Sequence, residues 1–243
     1  MNPKPEISFD ADTHTYHIKG VDGPVRSVTE VVGDLFPFPA DVIAPQVAAK
    51  TGRTVEEVLA EWQEAADKGT RTHAVAEARL NGQPRPDGLK KSEEAFYACA
   101  ERTVDKVRQD LKSAGLPFSG RSEFRIADPK ARVAGTTDLL LHLGGNHYLL
   151  VDWKTNKRAL DSKKLEQYSL QLSLYREILL RNYLPEGSVV DIALCHFLKR
   201  GSAVDANWLF EFVKDESLDT RFLPPTAAKA AEILDTLSAK AAA

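Results

Sequence analysis

The sequence predicts an α/β fold, a mixed sheet flanked by helices, and three observations carry that expectation. Hydrophobic residues make up 43% of the 243 residues, enough for a sizeable buried core. Three strand-like runs follow one another from Phe118 to Trp153, separated only by turn residues. A helical stretch over residues 161–182 then leads to a further apolar run. A helix placed there lets the new strand lie parallel to a member of the meander.

Element by element, ISFDADTHTYHI (residues 7–18) alternates around a polar turn and reads as a small hairpin before SVTEVV. The Pro-rich FPFPADVIAP then breaks the pattern. Thr54 and Glu57 form a capping box that opens a helical run to Gly69, and a second helical segment, RTHAVAEARLNG, follows that glycine. QPRPDG is a loop, and KSEEAFYACAERTVDKVRQDLKSAG is a helix closing on a glycine cap. The strands are FSGRSEFRIA, RVAGTTDLLLHL and HYLLVDW, turned by DPK and GGN. After the helix of residues 161–182 come strands VVDIALCHFL and NWLFEFV, and an alanine-rich helix from Pro225. The expectation is one domain over residues 1–243, with a hairpin and helical part at 1–115 and the sheet-bearing core at 116–243.

Composition removes several classes of function. Cys99 and Cys195 are the two cysteines and have no paired spacing, which excludes structural zinc and a cysteine-ligated iron–sulfur cluster. No apolar run approaches the roughly 18 residues of a membrane span. MNPKPEISFD carries neither a signal-peptide apolar region nor transit-peptide character, so a soluble, cytoplasmic protein without a membrane partner is expected. A formal charge of −3 gives no global attraction to a polyanion, and nucleic-acid binding would need a local basic surface.

The chemistry concentrates in VAGTTDLLLHLGG followed by NHYLLVDWKT. Asp138 sits on one apolar segment, and Asp152 and Lys154 end the next. Strand side chains alternate, so Asp152 and Lys154 share a face and Trp153 takes the other. Two carboxylates and a lysine on adjacent strands make a hard-metal site with a positioned cation, suited to phosphodiester hydrolysis. Gln171 and Tyr175 lie four apart on one helical face, which Tyr168 shares. His73 stands in GTRTH near the start of its helical segment, and Glu77, four residues on, shares its face. A local excess of positive charge, Lys154, Lys157, Arg158, Lys163 and Lys164, begins at this cluster, and Arg71 lies beside His73.

Together GTTD, LLVDWKTN, QLSLY and GTRTH resemble the PD-(D/E)XK nuclease superfamily, in particular its RecB-type exonuclease branch. The resemblance runs from Gly69 to Tyr175 and implies a restriction-endonuclease-like core with an N-terminal helical elaboration. It implies Asp138, Asp152 and Lys154 as catalytic residues, and a shell of His73, Asp138, Asp152 and the Trp153 carbonyl around Mg²⁺ or Mn²⁺, one ion or two. Gln171, Tyr175, Glu123, Glu77, Arg71, Thr155 and Lys157 become supporting or substrate-binding residues. Relatives that tie the domain with four cysteines around an iron–sulfur cluster differ from this chain in that respect.

The short form is similar to free-standing bacteriophage nucleases and the mitochondrial genome maintenance exonuclease. That likeness implies an exonuclease acting on single-stranded DNA or a free end, in recombination, repair or phage DNA processing. The chain lacks a Walker motif, so unwinding would fall to a helicase or recombination partner. An endonuclease of the same fold is one alternative; a non-catalytic DNA-binding or assembly protein is another.

Overall fold

The computed structural model describes residues 4–155, 159–210 and 225–242. The chain opens on an antiparallel hairpin of β1 (Ile7–Asp10) and β2 (Thr15–Ile18), as its alternation predicts. Asp10 Oδ1 accepts from the backbone N–H groups of Asp12 and Thr13 and so forms the turn. A two-residue strand, β3 (Arg26–Ser27), runs directly into α1 (Val28–Leu35). SVTEVV, which follows the hairpin, thus gives Ser27 to β3 and is helical from Val28. Ser27 and Glu30 make a reciprocal capping box, a signal present in the sequence.

The Pro-rich stretch departs from expectation. It leads into α2 (Ala40–Thr51), with Pro45 inside the helix. Packing overrides the local penalty, because Ala44 and Ala48 bury against Val58 of the next helix. That helix, α3 (Val55–Leu80), is one continuous rod through Gly69 instead of two segments. Glycine costs about 1 kcal/mol in a helix interior, which weakens a helix without obliging it to stop. A 3₁₀ turn (Lys91–Glu93) precedes α4 (Glu94–Ser113). The α4 terminus is the predicted glycine cap: Gly115 has φ +72°, and Leu116 N–H donates to the Leu111 carbonyl at 2.9 Å.

The meander follows as β4 (Gly120–Asp128), β5 (Val133–Gly144) and β6 (His147–Lys154), each antiparallel to the one before. Asp128 Oδ1 caps the first turn through Lys130 and Ala131, and Gly144 and Gly145 supply positive φ for the second. The connecting helix α5 (Ser162–Asn182), capped by Asp161, carries the chain to β7 (Val189–Arg200), which lies parallel to β6. Strand β8 (Ala203–Phe210) returns antiparallel, and α6 (Pro225–Ala242) ends the described chain. Residues 211–213 of NWLFEFV, like Lys157 and Arg158, fall outside the described residues.

The resulting six-stranded sheet is covered on both faces. Leu150, Leu170, Leu174, Ile178 and Leu194 pack in the layer that holds α5 and α1. Val151, Trp153, Phe197, Phe96 and Val104 pack in the layer beneath α4. Each fully buried leucine or phenylalanine contributes about 1.5–3 kcal/mol, so the sheet is anchored from both sides while its β5–β6 end carries the polar residues. No helix among the described residues is long and apolar enough to cross a membrane.

Candidate metal and active centre

Strands β5 and β6 pair from Gly144–His147 to Leu139–Val151, and the ladder stops there. One residue further along each strand stand Asp138 and Asp152. Trp153 N–H points toward β5 but donates to Asp138 Oδ2, at 2.7 Å, in place of a backbone carbonyl. From above, α3 delivers His73, whose Nδ1 lies 3.4 Å from Asp138 Oδ1. Lys154 Nζ lies 2.6 Å from Asp152 Oδ2, an ion pair without hydrogen-bond alignment, since that buried oxygen has no aligned donor. The Tyr168 ring of α5 lies 4.8 Å from the same ammonium. Trp153 faces the other way, stacked at 5.9 Å on Phe197.

Two glycines set these approaches. A Cβ on Gly69 would meet Thr155 Oγ1 at 3.1 Å, so the glycine of GTRTH lets α3 rest on the residue that follows DWK. A Cβ on Gly135 would meet Tyr175 Cε1 at 2.6 Å, so the glycine of GTTD makes room for the α5 tyrosine. Tyr175 is buried and its hydroxyl accepts from Gln171 Nε2 at 3.3 Å. Four separate sequence motifs are thereby interlocked in two pairs.

The electrostatics divide the two aspartates. Burial pushes Asp138 up, but His73, Lys154 and the Trp153 amide together hold its carboxyl below the ordinary range. Burial and the neighbouring Asp138 charge outweigh Lys154 at Asp152 and raise it. Burial disfavours the charged forms of His73 and Lys154, yet the carboxylates raise both. A buried group with excess negative charge and an imidazole donor fits a divalent cation held by hard oxygens and one nitrogen.

Glu123 belongs to this cluster more fully than its sequence position suggested. One ligand atom each from His73, Glu123 and Asp138 lie within 4.8 Å of one another. Glu123 has φ +45°, a strained conformation for a non-glycine residue, and its place opposite Asp138 is skipped between the Ser122–Leu139 and Phe124–Thr137 pairs. Glu123 retains solvent contact by area, but enclosure on its inner side, with Asp138 and Glu77 nearby, raises its carboxyl to about 7. Sequence alternation gives no hint of this positive φ or of the skipped pair.

Other expected residues take different places. The His73 imidazole meets Asp138, while Glu77 adds its charge beside Glu123. The Arg71 guanidinium is occupied: Nε and Nη2 donate to the two Glu93 oxygens at 2.8 Å, and Nη2 also reaches Glu64. It clamps α3 to the 3₁₀ turn. Lys164 shares the Tyr168 ring with Lys154, at 5.8 Å.

Among curated proteins nothing matches. A solved structure described as "Crystal structure of SSO0001" is similar at 14% identity over 70% of this chain and 87% of that one, with a TM-score of 0.27, too low to bear on the argument. At the level of families, residues 46–242 match the PD-(D/E)XK nucleases, a span that takes in α3, the whole sheet except β3, and every residue of the cluster. The chain belongs to the PD-(D/E)XK nuclease superfamily.

Proposed function

We propose that the protein is a metal-dependent deoxyribonuclease of the RecB-type branch, an exonuclease acting on single-stranded DNA in recombination, repair or phage DNA processing. The observation that carries this reading is the interlocking of the four motifs, Gly69 on Thr155 and Gly135 on Tyr175, around Asp138, Asp152, Lys154 and His73. A metal bound by His73, Asp138, Asp152 and the Trp153 carbonyl would supply an activated water and positive charge beside the phosphate. The imidazole among the donors leans the choice toward Mn²⁺ over Mg²⁺.

The chain's own groups do the rest. Lys154, held protonated by Asp152 and Asp138, places a full positive charge where negative charge grows on the phosphoryl oxygens. Burial beneath α3 and α5 strengthens that interaction relative to water. The Tyr168 ring of α5 lies beside the same ammonium, and Tyr175 is buried further along that helix face. Hydrolysis forms one bond from water oxygen to phosphorus and breaks the bond from phosphorus to the leaving sugar oxygen. Unwinding of duplex DNA would come from a helicase partner.

End-labelled linear and circular single-stranded DNA, offered with Mn²⁺, test the reading. Loss of linear strands with circles intact is the expected result. Circles cut as fast as linear strands would overturn exonuclease action in favour of an endonuclease on the same site.

A further inference from the structure

Several of the described arginines are tied to carboxylates. Arg26, Arg53, Arg71, Arg79, Arg85 and Arg181 are each ion-paired with a carboxylate. Arg121 and Arg125, like Arg102, Arg108, Arg132 and Arg200, have no carboxylate partner among the described ion pairs; what sets these two apart is that both are exposed on β4, which pairs with β5 alone and so forms an edge of the sheet. Arg121 lies 5.0 Å from the centroid of the Phe124 ring, and Arg125 lies 5.9 Å from that of Phe9. Charge on an edge strand can serve to block strand pairing, and here it stands together with aromatic rings.

Two adjoining hollows of about 340 Å³ each run along this edge and share Lys4, Phe124 and Tyr183. One is bounded by Arg125 and by Glu123, which it shares with the metal cluster. The other is bounded by Arg121, His142 and Tyr148. The His142 and Tyr148 rings stack at 4.9 Å, and His142 Nε2 is tied to the Gly145 carbonyl at 2.8 Å, which fixes the pair. From Arg121 to Arg125 the strand covers roughly 13 Å, room for more than one phosphate.

We propose that this edge is the track along which a single DNA strand reaches the centre, an inference that rests on the nuclease reading. Lys4, Arg121 and Arg125 would hold its phosphates, and the His142–Tyr148 pair would stack its bases. Aromatic faces of this kind serve unpaired bases, because a base inside a duplex has no free face to offer. The basic side chains supply locally the attraction that the overall charge of −3 does not.

The test is fluorescence anisotropy of labelled oligothymidine in EDTA, so that binding is read without cleavage. The paired substitution Arg121→Ala, Arg125→Ala should weaken binding about tenfold or more and flatten the dependence of log K on log salt by about 1.4. Tyr148→Ala should weaken it about fivefold or more and Tyr148→Phe should restore it, with unchanged melting temperatures. Arg102→Ala with Lys106→Ala, on α4, should stay within about twofold of wild type. Wild-type affinity in the arginine pair, or no binding by the wild type, would overturn the track. Should the variants lose binding while the wild type cleaves nothing with any metal, the track stands and the nuclease reading falls.

Discussion

Trp153 gives its backbone N–H to the side chain of Asp138, at 2.7 Å, where the β5–β6 ladder ends. A carboxylate thus completes the secondary structure and faces the His73 imidazole with its other oxygen. Asp138 is stabilised in its charged form by its surroundings, and Asp152 is not. Substitution should therefore act oppositely on the two. In metal-free protein at neutral pH, Asp138→Ala should cost about 1–3 kcal/mol by urea unfolding, since it strands the Trp153 amide. Asp152→Asn should cost nothing or raise stability. Equal losses at both positions would contradict this electrostatic division.

Gly135 should tolerate no side chain. Alanine there meets the Tyr175 ring at 2.6 Å and should destabilise by about 1–3 kcal/mol. In a Tyr175→Leu background the same substitution should cost much less, and the coupling is read from a double-mutant cycle.

Gly69 sets two effects against each other. Alanine gains up to about 1 kcal/mol of helix propensity but crowds Thr155 Oγ1 at 3.1 Å. Stability should change by less than about 1 kcal/mol. Metal-dependent cleavage should fall by about tenfold or more, because α3 carries His73 away from Asp138. Thr155→Ala should recover part of it. Cleavage unaffected by Gly69→Ala would show that the helix approach does not position the histidine.

The Arg71 clamp predicts a pH effect away from the centre. The bidentate bond from Arg71 first, then Tyr97, holds Glu93 below the ordinary carboxylate range. A depressed folded pKa contributes stability that is full above the unfolded value, about 4.3, and is lost as pH falls through the folded value. Wild type should lose stability from about pH 5 downward more steeply than Glu93→Gln, measured by urea unfolding at each pH. Arg71→Met should cost about 3 kcal/mol at neutral pH.

Much of the centre was legible because its signals are local. The period of two puts Asp152 and Lys154 together and sends Trp153 away, and spacing of four aligns Gln171 with Tyr175. What stayed hidden depends on packing between distant segments. The Arg71 partner is 22 residues away on a turn whose position the sequence does not reveal. The left-handed backbone at Glu123 goes with the break in β4–β5 pairing opposite Asp138, which alternation along one strand does not show. Pro45 and Gly69 misled for the same reason, since tertiary contacts pay for a helix that local propensity disfavours.

Cleavage of labelled single-stranded DNA with Mn²⁺ and with EDTA, in wild type beside Asp152→Ala and Lys154→Ala, tests the central claim most directly. Metal-dependent degradation by wild type, lowered by about a thousandfold or more in both variants, is the predicted result. Wild type inert with either Mn²⁺ or Mg²⁺, or variants as active as wild type, would contradict a nuclease centre built on these residues.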